Sequence, residues 1–198
     1  AFVRNSSLGS MSIPAREDFT GDVSGTINSN ATFPAGSILQ VKQAFKTDTF
    51  ETQSTSFVDL PSMSVGITPK FSSSKILIDV RLTMVSSYWA AHGRLMRDST
   101  EIGMAQTAGD RPTHFLDVTV EQTSAQGNGV QGSPARIILD SPTIPSTPIE
   151  ITYKVQVSAR KDGSNSSTTT VNKSPADRNT STYDHRATSS ITVMEVAQ

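Results

Sequence analysis

Few residues of this chain could carry chemistry. It has three histidines, His92, His114 and His185, and no cysteine. A metal site needs several ligating side chains brought to one point, and the local spacings that achieve this, such as HxH or HExxH, are absent. Without a thiol there is neither a thiolate centre nor a disulfide framework. His185 stands beside Asp184 in "YDHR" with no nucleophile near it, and reads as a loop residue. His114 leads an alternating stretch and reads as a strand-end surface histidine. Glycoside hydrolysis requires two carboxyl groups across a cleft, one of them with a raised pKa. Among Glu101, Asp110, Asp117, Glu121 and Asp140, the pair Asp117 and Glu121 falls on one face of one expected strand, and that face is the wet one. "DGSN" at 162–165 opens like a calcium loop, but its twelfth position holds Lys173 where a bidentate glutamate is needed. These readings assign no catalytic residue, no cofactor and no metal ligand, and the chain is expected not to be an enzyme.

One aromatic and polar cluster stands out, "SYWAAHGR" at 87–94. Tyr88, Trp89, His92 and Arg94 are candidate ligand contacts on an exposed tip, because an aromatic face can stack on a sugar ring while polar neighbours bind its hydroxyls. A second reading has Trp89, the chain's one tryptophan, capping the core or an oligomer interface.

The elements that must position such residues are strands. From Ile76 to Met84 every even residue is apolar, while Asp79, Arg81 and Thr83 alternate with them. Ile149, Ile151, Tyr153, Val155 and Val157 repeat the pattern against Glu150, Thr152, Lys154 and Gln156. Leu116, Val118 and Val120 do so within 113–122, and Leu39, Val41 and Phe45 within 38–45. A period of two is the mark of a strand with one dry and one wet face. Residues 94–103 read as a hairpin turning at "DST", and 189–198 as a closing strand apolar on both faces. Residues 61–74, with Pro61, Gly66 and Pro69, read as a loop around a short strand at 63–67. No stretch shows a helical period. Ser and Thr make up 53 of the 198 residues, which suits half-exposed strands and turns. About eight to ten strands are expected, packed as an antiparallel β-sandwich of jelly-roll type.

Residues 1–36 differ. Phe2, Val3, Ile13, Phe19, Ile27 and Phe33 are scattered among Gly, Ser, Asn and Pro with no sustained period. Such a segment cannot bury enough to fold alone. It is expected to be an extended arm that docks on a partner, with the sandwich occupying 37–198. Lys and Arg number 17 against 18 Asp and Glu, with no basic stripe, so nucleic acid is not an expected partner. No apolar run approaches the ~20 residues of a membrane helix, and no signal peptide is visible, so membrane insertion is not expected.

The ordered series "GSILQV" (36–41), "STSFVDLPSMSVGITPKFSSSKILIDV" (54–80), "RLMRDSTEIG" (94–103), "ITYKVQV" (151–157) and "ATSSITVMEV" (187–196) resembles a family of short β-sandwich domains in tail-fibre and other virion appendages of marine and environmental bacteriophages. The resemblance spans about residues 36–198 and leaves the arm outside. It implies a virion structural protein of the fibre or capsid-decoration kind, a homotrimer, with no activity assigned to the domain. The arm would then hold other capsid or tail proteins, and the projecting sandwich would meet a host-surface glycan. A lectin-like carbohydrate-binding module without catalytic activity is the alternative.

Overall fold

The computed structural model describes residues 33–119, 131–147, 149–162, 165–180, 182 and 184–198. They form fifteen strands: β1 Ile38–Lys46, β2 Phe50–Thr52, β3 Val58–Ile67, β4 Lys75–Arg81, β5 Met84–Ser86, β6 Ala90–Arg97, β7 Thr100–Ile102, β8 Leu116–Thr119, β9 Gln131–Gly132, β10 Ala135–Asp140, β11 Ile151–Ala159, β12 Lys161–Asp162, β13 Asn165–Ser166, β14 Thr169–Val171 and β15 Ser189–Val196. Of the arm's six apolar residues, Phe2, Val3, Ile13, Phe19 and Ile27 lie outside the described residues. Phe33 does not: its ring meets Phe71 edge-on at 5.8 Å, so it packs on its own sandwich.

The pairing is nested. β1 pairs with β15, β3 with β11, β4 with β10, and β6 with β7 and β8, all antiparallel. One sheet runs β1-β15-β4-β10; the second runs β3-β11-β6-β7, with β8 also on β6. A long hairpin rolled over on itself gives this order, which is that of a jelly roll. The two sheets bury Ile76, Ile78, Val80, Ile191 and Val193 against Leu95, Leu116, Tyr153, Val155 and Val157. Each such aliphatic side chain is worth about 1.5–3 kcal/mol of burial.

Several expectations need correction. The strand expected to continue from 75 past Met84 breaks at Leu82 and Thr83. β4 stays in the first sheet, while β5 joins a short end sheet ordered β2-β14-β5-β9. The even residues nevertheless remain buried throughout, from Ile76 to Met84, because a strand that changes sheets at a corner can keep its apolar side inward. The short strand expected at 63–67 is present but is the end of a longer one, because β3 starts at Val58 and runs through Pro61. Pro61 falls in the register shift between Asp59 and Ser64 of this edge strand, where no paired residue faces its missing N–H, and Ser62 there takes φ +63°. In β1 the apolar set Val41 and Phe45 faces outward, at 57% and 58% exposure, while Ala44 and the fully buried Lys46 face inward.

Buried polar groups close the core at both ends of β15. At one end Glu195, fully buried, accepts from Lys70 N (2.7 Å), Phe71 N (3.3 Å), Ser74 Oγ (2.7 Å) and Gln40 Nε2 (2.6 Å). At the other, Asn172 donates to the carbonyls of Lys46 and Asp48, both at 3.0 Å, and accepts from Ser189 Oγ at 2.7 Å. Between the sheets, the Tyr153 hydroxyl donates to Asp140 at 2.7 Å, and Arg97 pairs with the same carboxylate at 2.8 Å. Burial and this carboxylate push the tyrosine pKa well up, so the hydroxyl stays a donor.

Glu195→Ala would strand the donors of the 68–74 turn in a dry site. It should lower the unfolding free energy by about 3 kcal/mol, read as a lower urea midpoint at constant slope. An unchanged midpoint would show that the turn does not depend on this carboxylate.

Candidate functional site

The core face of β6 presents Ala91 and Leu95. By alternation its other face presents Ala90, His92, Arg94 and Met96. Pairing then fixes their neighbours. Asp117 of β8 lies opposite His92, and Thr119 opposite Ala90. Gln156 and Ser158 of β11 lie opposite Arg94 and His92, and Glu101 of β7 opposite Met96. The outer face of this sheet is therefore polar.

Arg94 sits at the centre of a charged row. Its Nε donates to Gln156 at 2.6 Å, its Nη1 meets Glu101 at 3.3 Å, and its guanidinium lies 4.3 Å from the Phe57 ring centre. Gln156 in turn donates to Asp59 at 2.6 Å, and Lys154 does so at 2.9 Å. Those two hydrogen bonds hold the Asp59 carboxyl below its ordinary pKa.

Beside this row His92 and His114 stack, with ring centres 3.8 Å apart and planes 17° from parallel. Phe57 tilts against His114 at 5.9 Å. His92 is 9% exposed, and its Nε2 lies 3.5 Å from Asp117 Oδ1, which is long for a hydrogen bond. Neither ring nitrogen of His114 has a hydrogen-bond partner. Two imidazolium ions could not share this space, and burial opposes even a single one. Burial, and next the proximity of His114, push His92 down to about 4 against the partial opposition of Asp117. Burial lowers His114 as well, opposed by Asp117 and Glu101.

An open cleft of about 350 Å³ adjoins the pair. His92, Thr113, His114, Asp117, Thr119 and Arg160 supply its polar lining. Asp117 accepts from the Thr119 hydroxyl through Oδ2. Among the described residues no cluster of three or more His, Asp or Glu could hold a metal ion.

The four contacts expected from "SYWAAHGR" do not share an exposed tip. Tyr88 and Trp89 are half-buried in the turn between β5 and β6, where Trp89 takes φ +54° and its indole N–H is buried without a partner. His92 is buried inside β6, and Arg94 lies two residues beyond it. His114 is no solvated strand end, since its ring is covered by His92 and Phe57. His185 is exposed, while its neighbour Asp184 pairs with Arg178 at 2.8 Å. Sequence reasoning missed Phe57, Thr113, Thr119 and Arg160 as neighbours of the histidines. The only local signal was the alternation that sets His92 and Asp117 on wet faces.

No protein-family model matches this chain, and no curated protein matches it.

The pair makes stability depend on pH in a definite direction. In the unfolded chain both imidazoles take a proton near the ordinary 6.5; folded, His92 resists until about 4. Protons therefore favour the unfolded state as pH falls, and stability declines from about 6.5 until the loss levels off near 4. His114→Phe keeps a stacked ring and removes two unpartnered nitrogens. It should leave the urea midpoint at pH 7 equal or higher and flatten the slope between pH 6.5 and 5. A slope unchanged by the substitution would refute this origin for it.

Proposed function

We propose that this protein is a non-enzymatic structural module of a bacteriophage virion appendage, a short fibre or decoration protein, that assembles with copies of itself as a homotrimer. The observation that carries the reading is the outer face of the first sheet. Val41, Met194, Leu77 and Leu139 stand in register across all four strands. On the same face Ile137 adjoins Leu139 along β10, while Phe45 lies beyond Gln43 on β1, and Gln43, Thr192, Asp79 and Arg81 make the neighbouring rows polar. Val41, Phe45, Ile137 and Leu139 are each at least half exposed. A lone soluble sandwich sets polar residues on its outer faces, and a continuous apolar band across a whole sheet favours burial against a partner. The second sheet's outer face, which carries the Arg94–Glu101 and Lys154–Asp59 pairs, has less such need. The occupant is a second copy of this chain, because among the described residues β1 and β10 also stand unpaired at both edges of the same sheet, where like strands could add.

Jelly rolls serve in viral capsid and lectin domains alike, so the fold is in keeping with this reading by analogy of architecture. In it, the part of the arm before Phe33 holds other virion proteins of the capsid or tail, since Phe33 itself packs on the sandwich, and the sandwich projects from the particle. The second reading, a carbohydrate-binding module without catalytic activity, is favoured by the polar cleft beside His92.

Light scattering on the full chain at micromolar concentration should give a trimer mass. Phe45→Glu combined with Leu139→Lys should give a monomer whose thermal midpoint is within a few degrees of the parent, since both side chains are exposed. A monomeric parent chain, or a double variant that stays trimeric, would overturn assembly through this face.

A further inference from the structure

We propose that the cleft between β6, β8 and the end of β11 binds a small hydroxylated carboxylate, the size of one acidic sugar ring. The cleft is lined by residues of opposite charge, Arg160 and Asp117, by Thr113 and Thr119, and by Ala90 among its apolar residues. At about 350 Å³ it stands at the small end of ligand clefts, where one ring fits and an oligomer does not.

Arg160 gives the ligand its charge. Among the described residues its guanidinium makes no hydrogen bond or ion pair, whereas Arg81, Arg94, Arg97 and Arg186 are each bound to a carboxylate. Its backbone is fixed, because its N–H donates to Ser167 Oγ at 3.1 Å and its carbonyl accepts from Ser167 N at 3.0 Å. A guanidinium offers a planar fork of donors that a carboxylate fills with two parallel bonds.

Asp117 supplies the selection. One of its oxygens accepts from Thr119, and the other lies 3.5 Å from His92, leaving lone pairs for a ligand donor. A carboxylate at this position repels a dianion such as phosphate, so the charge on the ligand is single and the rest of it donates hydrogen bonds. Thr113 can donate and accept, and Thr119, whose proton goes to Asp117, can accept from a sugar hydroxyl. A neutral His92 adds no second cation to draw a dianion in.

This cleft and the apolar band lie on different sheets, so ligand binding and self-assembly stand or fall separately. Isothermal titration of the full chain at pH 7 with galacturonate, galactose, alanine and inorganic phosphate tests the assignment. Galacturonate should bind in the millimolar range, and galactose, alanine and phosphate at least about tenfold more weakly. Arg160→Gln should reduce galacturonate to the affinity of galactose, with the thermal midpoint unchanged. Asp117→Asn should bring phosphate closer to galacturonate. No heat from galacturonate, preference for phosphate or alanine, or full affinity in Arg160→Gln would each overturn the proposal. The monomeric Phe45→Glu, Leu139→Lys chain should bind galacturonate as the parent does, which separates a failed cleft from a failed assembly.

Discussion

A buried carboxylate sets the frame of this protein. Glu195 lies at the end of the last long strand with no solvent to satisfy it, and four donors from β1 and the 68–74 turn converge on it. An unpaired charge there would be prohibitively costly, so the fold that contains Glu195 must also bring the turn and the first strand to it. That requirement joins the first and last long strands, which lie side by side in the nested pairing. It also gives a physical role to "ITPKFSSSK" and "SSITVMEV": they contain the donors and the acceptor of one network.

The two outer faces of the sandwich have opposite characters, and their difference organises the functional reading. On the first sheet the apolar residues of β1 and β10 point away from the core, because the inner positions there are filled by Ala44, Lys46 and Ile138. On the second sheet Arg94, Gln156, Asp59 and Glu101 bind one another. Water suits the second face and not the first. On the proposed reading, the first face meets copies of the chain and the second meets something polar.

The histidine pair sits where these demands meet. Stacking suits two neutral imidazoles in a half-dry position, yet it leaves His114 without hydrogen bonds. Phe57 and Arg94 complete the aromatic and cationic layer above β6. The cost of the unpartnered nitrogens is about 1–3 kcal/mol, and it is sustained by the sandwich beneath, whose core does not depend on either ring.

Local alternation was enough to name most long strands, since side-chain direction along a strand depends only on neighbouring residues. It gave Ile76 to Met84, Ile151 to Val157 and Leu116 to Val118 as buried sets, and the all-β sandwich with them. It could not say that the apolar side of β1 would be the wet one. Val41 and Phe45 alternate as cleanly as any core pair, but β1 ends a sheet whose inner space other strands fill, and so they face out. Nor could it join His92 to His114, Asp117 and Arg160. Those residues meet only because β6 pairs with β8 on one side and β11 on the other. The sequence by itself determined the strands, through a period of two. Tertiary structure alone decided the faces of β1 and the cleft, because pairing between distant strands sets which side chains become neighbours.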